Sequence, residues 1–123
     1  MKVVLVASSA VELVLNRIRE KEIEKILGRA DAVLAPDIYI FEINNINLDY
    51  EYCLESLDTA LLPIDVLYKA KDLVNEAFAE SYRQEYPVYD LMYAVLAGRT
   101  GALLLTIGGR LKELCNDMGI RTR

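Results

Sequence analysis

The sequence contains no histidine, and its two cysteines, Cys53 and Cys115, do not have the spacing of a metal-binding pair. Without histidine the chain cannot build a Ser-His-Asp triad, a histidine acid–base catalyst or a zinc site of the usual kind. We expect both thiols to behave as small, buried or half-buried hydrophobic groups in a reducing compartment. Any catalysis would therefore depend on carboxylates, lysines, tyrosines, hydroxyls or a bound hard metal ion.

Membrane-length apolar runs and linker-like tracts are also absent. No apolar run approaches the roughly 18 to 20 residues of a membrane span, and no glycine-, serine- or proline-rich stretch divides the 123 residues. The first residues resemble a signal peptide superficially, but Glu12 interrupts the apolar part and charged residues follow, so a strand and an amphipathic helix are the better interpretation. We predict a single cytoplasmic domain over residues 1–123, without membrane contact.

The charge is unevenly distributed along the chain, whose formal net charge is -5. Residues 99–123 contain five basic and two acidic side chains, which leaves a net charge of -8 on residues 1–98. Overall acidity argues against strong nonspecific binding to nucleic acid, while the basic C-terminal part is explained equally well by contact with phosphate or by a solvated surface.

Apolar runs and helical patterns alternate along the chain. Strands are predicted at residues 2–6, 32–35 and 102–106, with a brief strand or extended segment at 61–64 and an edge strand at 120–122. Predicted helices include one capped by Ser8 or Ser9 with Glu12, a short one around Ile23, Ile26 and Leu27 that Gly28 ends, and others from 37, over about 65–81 and over about 109–117. Residues 47–57 are ambiguous, although their pattern suggests a short helix. This alternation indicates a three-layer α/β/α fold with a central, mainly parallel sheet, whose functional site lies at the carboxyl ends of the strands.

Residues 87–111 form the most informative stretch. Val88, Leu91, Met92, Val95 and Leu96 have the spacing of one apolar helical stripe. Asp90 lies off that stripe, on a face that continues with alanines, which suggests close packing rather than a solvated surface. Gly98 and Gly101 are predicted to end this helix before the buried strand at 102–106.

Three segments resemble the motifs of PIN domains, in particular the small VapC-like toxins. They are VVLVASSAVELVL near the start, APDIYIFEINNI, and YPVYDLMYAVLAGRTGALLLTIGGRL, and their order and spacing cover nearly the whole chain. The resemblance implies the α/β/α fold and, in active members, an Mg²⁺- or Mn²⁺-dependent ribonuclease whose clustered carboxylates hold the metal. Hard cations prefer oxygen ligands, and a bound cation makes such clustered negative charge tolerable.

The resemblance assigns roles to particular residues. Glu42 and Asp90 match the family's acids, and Asn45, Ser8 and Thr106 match its supporting polar positions.

Two family acids are missing from this sequence. Val6 stands where the first strand should end in aspartate, and Gly108 stands where an aspartate should follow the threonine. Valine and glycine offer no side-chain oxygen, so the metal site is reduced to Glu42 and Asp90, and metal binding there is expected to be weak or absent.

Three functional hypotheses follow from the resemblance. The first is a non-catalytic or severely impaired PIN domain without a cofactor, which acts as a binding or assembly module, pairs with itself as a homodimer and binds an antitoxin-like protein. The second is a residual Mg²⁺- or Mn²⁺-dependent ribonuclease of a toxin–antitoxin system that uses Glu42 and Asp90. The third is a protein that binds RNA without cleaving it.

Overall fold

Strands and helices alternate in a computed structural model that describes residues 1–15, 19–43 and 50–123, without the side chains of Tyr50, Tyr52 and Cys53. The elements are β1 (Lys2–Leu5), α1 (Ala7–Val14), α2 (Glu20–Gly28), β2 (Ala32–Pro36), α3 (Ile38–Ile43), α4 (Tyr50–Leu61), β3 (Val66–Tyr68), α5 (Ala70–Gln84), α6 (Val88–Thr100), β4 (Leu103–Leu105) and α7 (Gly109–Asp117). Within these ranges no helix is both long and apolar enough to cross a membrane.

The four strands form one parallel sheet in the order β3-β2-β1-β4. Val4 of β1 is aligned with Leu34 of β2 on one side and with Leu104 of β4 on the other. Helices cover the sheet, which confirms the predicted three-layer α/β/α fold with a parallel centre. A parallel sheet of this kind needs helical crossovers that shield both of its faces.

β1 is the most deeply buried strand. Val3, Val4 and Leu5 are fully buried because β1 is flanked by strands on both edges and covered on both faces. A continuous apolar run, rather than an alternating one, is what such a strand requires. This is why residues 2–6 were already recognisable as a strand in the sequence.

α6 is buried around its whole circumference between Leu91 and Ala97, not only along the predicted stripe. It lies between α5 and the strands β1, β2 and β4, so its alanines are covered as well. The predicted end is correct at Gly101, which adopts a left-handed conformation with φ of 68°. The prediction for Gly98 was wrong, because α6 continues through that residue to Thr100.

The sequence interpretation was wrong between residues 61 and 69. Leu61 ends α4, β3 begins only at Val66, and α5 starts at Ala70 rather than at Asp65. Asp65 fixes this arrangement, since its N–H donates to the Val33 carbonyl at 2.8 Å and its carboxylate accepts the Val33 N–H at 2.7 Å. These bonds join residues far apart in sequence, so a local apolar pattern does not contain them.

The predicted cap of α1 was also wrong. The helix begins at Ala7, with Val6 as an extended N-cap residue that makes no side-chain capping bond. The Ser9 hydroxyl instead donates to the Leu105 carbonyl at 3.2 Å and so ties α1 to β4.

The predicted edge strand at 120–122 is present as a single parallel bridge between Leu104 and Thr122. Two hydrogen bonds support it, from the Leu104 N–H to the Arg121 carbonyl at 2.8 Å and from the Arg123 N–H to the Leu104 carbonyl at 3.0 Å. The last residues of the sequence therefore extend the sheet beyond β4.

Replacing Gly101 by alanine should lower the free energy of unfolding by about 1–2 kcal/mol, because an L side chain is disfavoured at positive φ. A Cβ atom there would meet no atom within 4 Å, so the effect isolates backbone strain. Gly28→Ala is the control, since Gly28 lies in α2 without positive φ and also has open space around it. Urea denaturation that finds equal effects for the two variants would contradict this account.

Candidate metal centre

The carboxyl ends of β1 and β4 lie side by side. The Val6 N–H, just after β1, donates to the Leu105 carbonyl at the end of β4 at a distance of 3.1 Å. This bond fixes Val6 and Thr106 as neighbours on the same edge of the sheet. The open end of a parallel sheet is where such folds place their ligand sites.

A cavity of about 200 Å³ opens at this edge. It brings together six of the seven predicted site positions, while Asn45 lies outside the described residues. The lining residues are Val6, Ala7, Ser8, Glu42, Tyr86, Asp90, Thr106, Ile107, Gly108 and Leu111.

Glu42 projects from α3 and is held by a buried tyrosine. The Tyr93 hydroxyl on α6 donates to Oε1 of Glu42 at 2.6 Å, and Tyr93 itself is fully buried. Burial raises the pKa of Glu42 above its usual range, the Tyr93 hydrogen bond acts in the opposite direction, and the nearby Asp90 charge raises it further. The carboxylate is therefore oriented by Tyr93 but disfavoured in its ionised form.

Asp90 lies in the first turn of α6, where the helix dipole favours a negative charge. Its pKa is nevertheless raised, because burial outweighs the contribution of the neighbouring Tyr86 hydroxyl. The two carboxylates thus share one half-buried cavity, and each would gain from a cation placed between them.

The polar residues around the two acids are partly engaged in local structure. Thr106 is buried, and its Oγ1 accepts the Gly108 N–H at 3.1 Å, which shapes the turn into α7. Ser8 is half-buried on α1 and lines the cavity. Both side chains offer an oxygen near the acids, but neither adds negative charge.

Val6 and Gly108 line the same cavity as the two acids and leave two of its sides without a carboxylate. The Val6 side chain is buried, with an exposed fraction of 4%. A Cβ atom added at Gly108 would lie 3.5 Å from Thr106 Oγ1 and 3.8 Å from Leu111 Cβ, which are ordinary contacts. Position 108 therefore has space for the Cβ atom of a larger residue.

The donor set suits a hydrated Mg²⁺ or Mn²⁺ ion only poorly. Within the described ranges, no group of three or more acidic, cysteine or histidine side chains is arranged to hold a metal. Glu42 and Asp90 are the acids that line the cavity, and one oxygen of Glu42 already accepts a hydrogen bond from Tyr93. Mg²⁺ keeps several water ligands in such sites, so any binding through two carboxylates would be weak.

Sequence reasoning missed Tyr93 as part of this site. Tyr93 is fully buried and hydrogen-bonded, and so is Tyr39, whose hydroxyl donates to the Ala60 carbonyl at 2.6 Å. One signal was available, because Tyr93 follows Asp90 by three residues and so projects from a neighbouring position on α6.

No protein-family profile matches the chain, and no curated protein sequence matches it. Solved structures do match in fold. One is VapBC2 from Rickettsia felis bound to a DNA fragment from its promoter, with a TM-score of 0.73 and 16% identity over 100% of this chain and 98% of the other. DNA-bound VapBC from Salmonella typhimurium gives a TM-score of 0.73 and 21% identity, with 100% and 97% of the two chains covered.

VapBC-1 from nontypeable Haemophilus influenzae is a third match, with a TM-score of 0.72 and 19% identity over 100% of this chain and 97% of the other. The chain therefore has the VapC-like PIN fold that its motifs predicted. At these identities the likeness shows the fold alone.

Glu42→Gln should raise the free energy of unfolding at pH 7. The native-state pKa of Glu42 lies above the ordinary value of 4.5, so the folded protein loses stability as the pH rises through the interval between the two values. Glutamine keeps the oxygen that accepts the Tyr93 hydrogen bond and removes the charge. The gain should fade as the pH is lowered below 4.5, where glutamate is protonated in both states.

Urea titrations of the unaltered protein and of Glu42→Gln, at a series of pH values, measure the difference in their free energies of unfolding. Glu113→Gln is the control, because it removes one charge from an exposed position on α7, outside the cavity. A destabilised Glu42→Gln variant at pH 7 would mean that the Glu42 charge is compensated in the folded protein.

Proposed function

We propose that this protein is a PIN-like domain with a degenerate metal site, which is non-catalytic or severely impaired as a nuclease and acts as a binding or assembly module. The observation that carries the proposal is the lining of the cavity at the ends of β1 and β4. Glu42 and Asp90 face the same space as Val6 and Gly108, which supply no ligand oxygen from their side chains. A hard cation needs more carboxylates than this for tight binding.

The electrostatics of the two acids support the same proposal. Burial raises the pKa of both Glu42 and Asp90, so the cavity disfavours their charged forms in the absence of a cation. Holding three or four ionised acids there would be still less favourable without metal. Valine in place of an acid at position 6 removes one source of repulsion between carboxylates, and it also removes a metal ligand.

Exposed apolar side chains support a role in protein association. Phe78 and Tyr82 lie one turn apart on α5 with exposed fractions of 55% and 92%, and Phe41 on α3 is 71% exposed. Exposed aromatic side chains such as the Phe78–Tyr82 pair are typical of interfaces. The structures that share this fold are VapBC complexes, so we propose an antitoxin-like protein partner, and a homodimer of the chain itself.

A residual Mg²⁺- or Mn²⁺-dependent endoribonuclease is the second candidate. It is favoured by the convergence of Glu42 and Asp90 with the hydroxyl-bearing Ser8 and Thr106 in one cavity. In this alternative the two acids would hold the metal with water, and the metal would supply charge neutralisation for a phosphodiester. Binding of RNA without cleavage is compatible with the first proposal.

The combined substitution Val6→Asp and Gly108→Asp should create measurable Mn²⁺ affinity and Mn²⁺-dependent RNA cleavage. Position 108 has room for a Cβ atom, and aspartate at position 6 would occupy the N-cap of α1, where it is a favoured residue. Without metal the variant should unfold at a lower temperature because four acids then share the cavity. Added Mn²⁺ should raise its melting temperature.

The matched control is Val6→Asn with Gly108→Asn, which has nearly the same shape and no added charge. Calorimetric titration and thermal denaturation, each with and without Mn²⁺, measure the two variants side by side. If the aspartate variant binds no more metal than the asparagine variant, the two positions are not what silences the site.

A further inference from the structure

A cleft of about 570 Å³ lies between α2 and the last residues of the sequence, beyond β4. Its rim carries three exposed arginines, Arg29, Arg121 and Arg123. The chain as a whole is acidic, with a formal net charge of -5. Three guanidinium groups around one cleft create a local field that attracts an anionic ligand.

The cleft continues into a smaller space that shares Ile26 and Arg123 with it. This space adds two further cationic side chains, Arg19 and Lys112, and one acid, Glu22. Among the side chains that line the combined groove, five are therefore cationic and one is acidic. An extended anionic chain, rather than a single small ion, matches such a row of charges.

The three rim arginines have no carboxylate partner among the described residues. Arg121 donates to the Gly101 carbonyl at 3.3 Å, and the N-terminal amine of Met1, which also lines the cleft, is paired with Asp31. The arginine charges are thus available to a ligand, and Arg is well suited to pairing with carboxylates in two-pronged geometry.

The floor of the groove is aliphatic. Ile23, Ile26, Leu103, Leu105 and Ile107 line it, and no aromatic side chain lines either space in the described part of the chain. Single-stranded nucleic acid is usually held by bases stacked on aromatic rings, which this groove lacks. A peptide with both acidic and aliphatic side chains fits the charges and the floor together.

Backbone groups for such a peptide are also present at the rim. In the bridge, Leu104 is hydrogen-bonded to Arg121 and Arg123, the residues on either side of Thr122. The N–H and carbonyl of Thr122 therefore point away from β4. Neither group has a hydrogen-bond partner among the described residues, and Thr122 lines the cleft. An unpaired sheet edge is a template for an added strand.

We propose that this groove binds an extended acidic segment of a partner protein, which adds a strand at Thr122 and places its carboxylates against Arg29, Arg121 and Arg123. The inference rests on the proposed function as a binding module and deepens it by naming the chemistry of the partner. Aliphatic residues of the segment would alternate with its acids and reach the aliphatic floor, as the two-residue period of a strand requires.

A labelled peptide of about eight alternating glutamate and valine residues is the probe, since that length spans a typical strand. Fluorescence anisotropy at about 50 mM salt, where surface charges act over longer distances, should detect its binding to the full chain. Arg29→Glu with Arg123→Glu should weaken binding by about tenfold or more, because attraction becomes repulsion at two positions. Raising the salt concentration should weaken binding to the unchanged protein as well.

Lys21→Glu with Lys25→Glu is the matched control, since it changes the net charge equally on the exposed face of α2 that does not line the groove. It should weaken binding much less than the groove variant does, because neither lysine lines the groove, and this difference should persist as the salt concentration is raised. Equal losses in both double variants, equal binding of a lysine–valine peptide, or no binding at all would overturn the proposal. So would binding of labelled oligouridylate in place of the acidic peptide, which would identify a nucleic-acid groove.

Amide hydrogen exchange on the unchanged protein gives a second test that needs no variant. The Thr122 amide should become protected when the acidic peptide is bound, and binding without protection would overturn strand addition. The two proposals can fail independently. Tight Mn²⁺ binding or RNA cleavage by the unchanged protein would contradict the proposed function as a non-catalytic module, and it would leave peptide binding at the groove untouched.

Discussion

The burial of β1 between two neighbouring strands is the constraint on which this structure depends. β1 forms parallel pairs on both edges, and its apolar residues Val3, Val4 and Leu5 are fully buried. The pairing of β1 with β4 continues past the end of β1, where the Val6 N–H donates to the Leu105 carbonyl. The candidate site is built on that end, so the residue at position 6 decides both how the core closes and what the cavity can bind.

The chemistry of the cavity follows from a balance between desolvation and neutralisation. Glu42 and Asp90 are half-buried neighbours whose pKa values are raised mainly by burial, and Tyr93 orients only one oxygen of Glu42. A metal centre tolerates this arrangement because its cation offsets the charges. In the function proposed for this chain, Val6 and Gly108 stand in place of acids, so the cavity exerts less attraction on a cation.

Much of the fold was predictable from the sequence, because β1, β4 and α7 have strong local signals: a buried apolar run for each strand, and a glycine at either end of the helix. β3 was misplaced because its position depends on Asp65 bonding to Val33, a contact between residues 32 positions apart. The acids of the site were identified by resemblance and do converge, but the Tyr93–Glu42 hydrogen bond was not foreseen, since it spans 51 residues. The groove at Thr122 depends on the sheet edge, which appears only after folding.

Calorimetric titration of the unaltered protein with Mn²⁺, repeated on Asp90→Asn, tests the central claim most directly. The degenerate-site account predicts no saturable heat of binding for either protein up to millimolar metal, because two half-buried carboxylates supply too little negative charge. Saturable binding in the micromolar range that is lost in Asp90→Asn would contradict it. That result would mean that Glu42 and Asp90 suffice for a metal centre and would restore the ribonuclease as the favoured function.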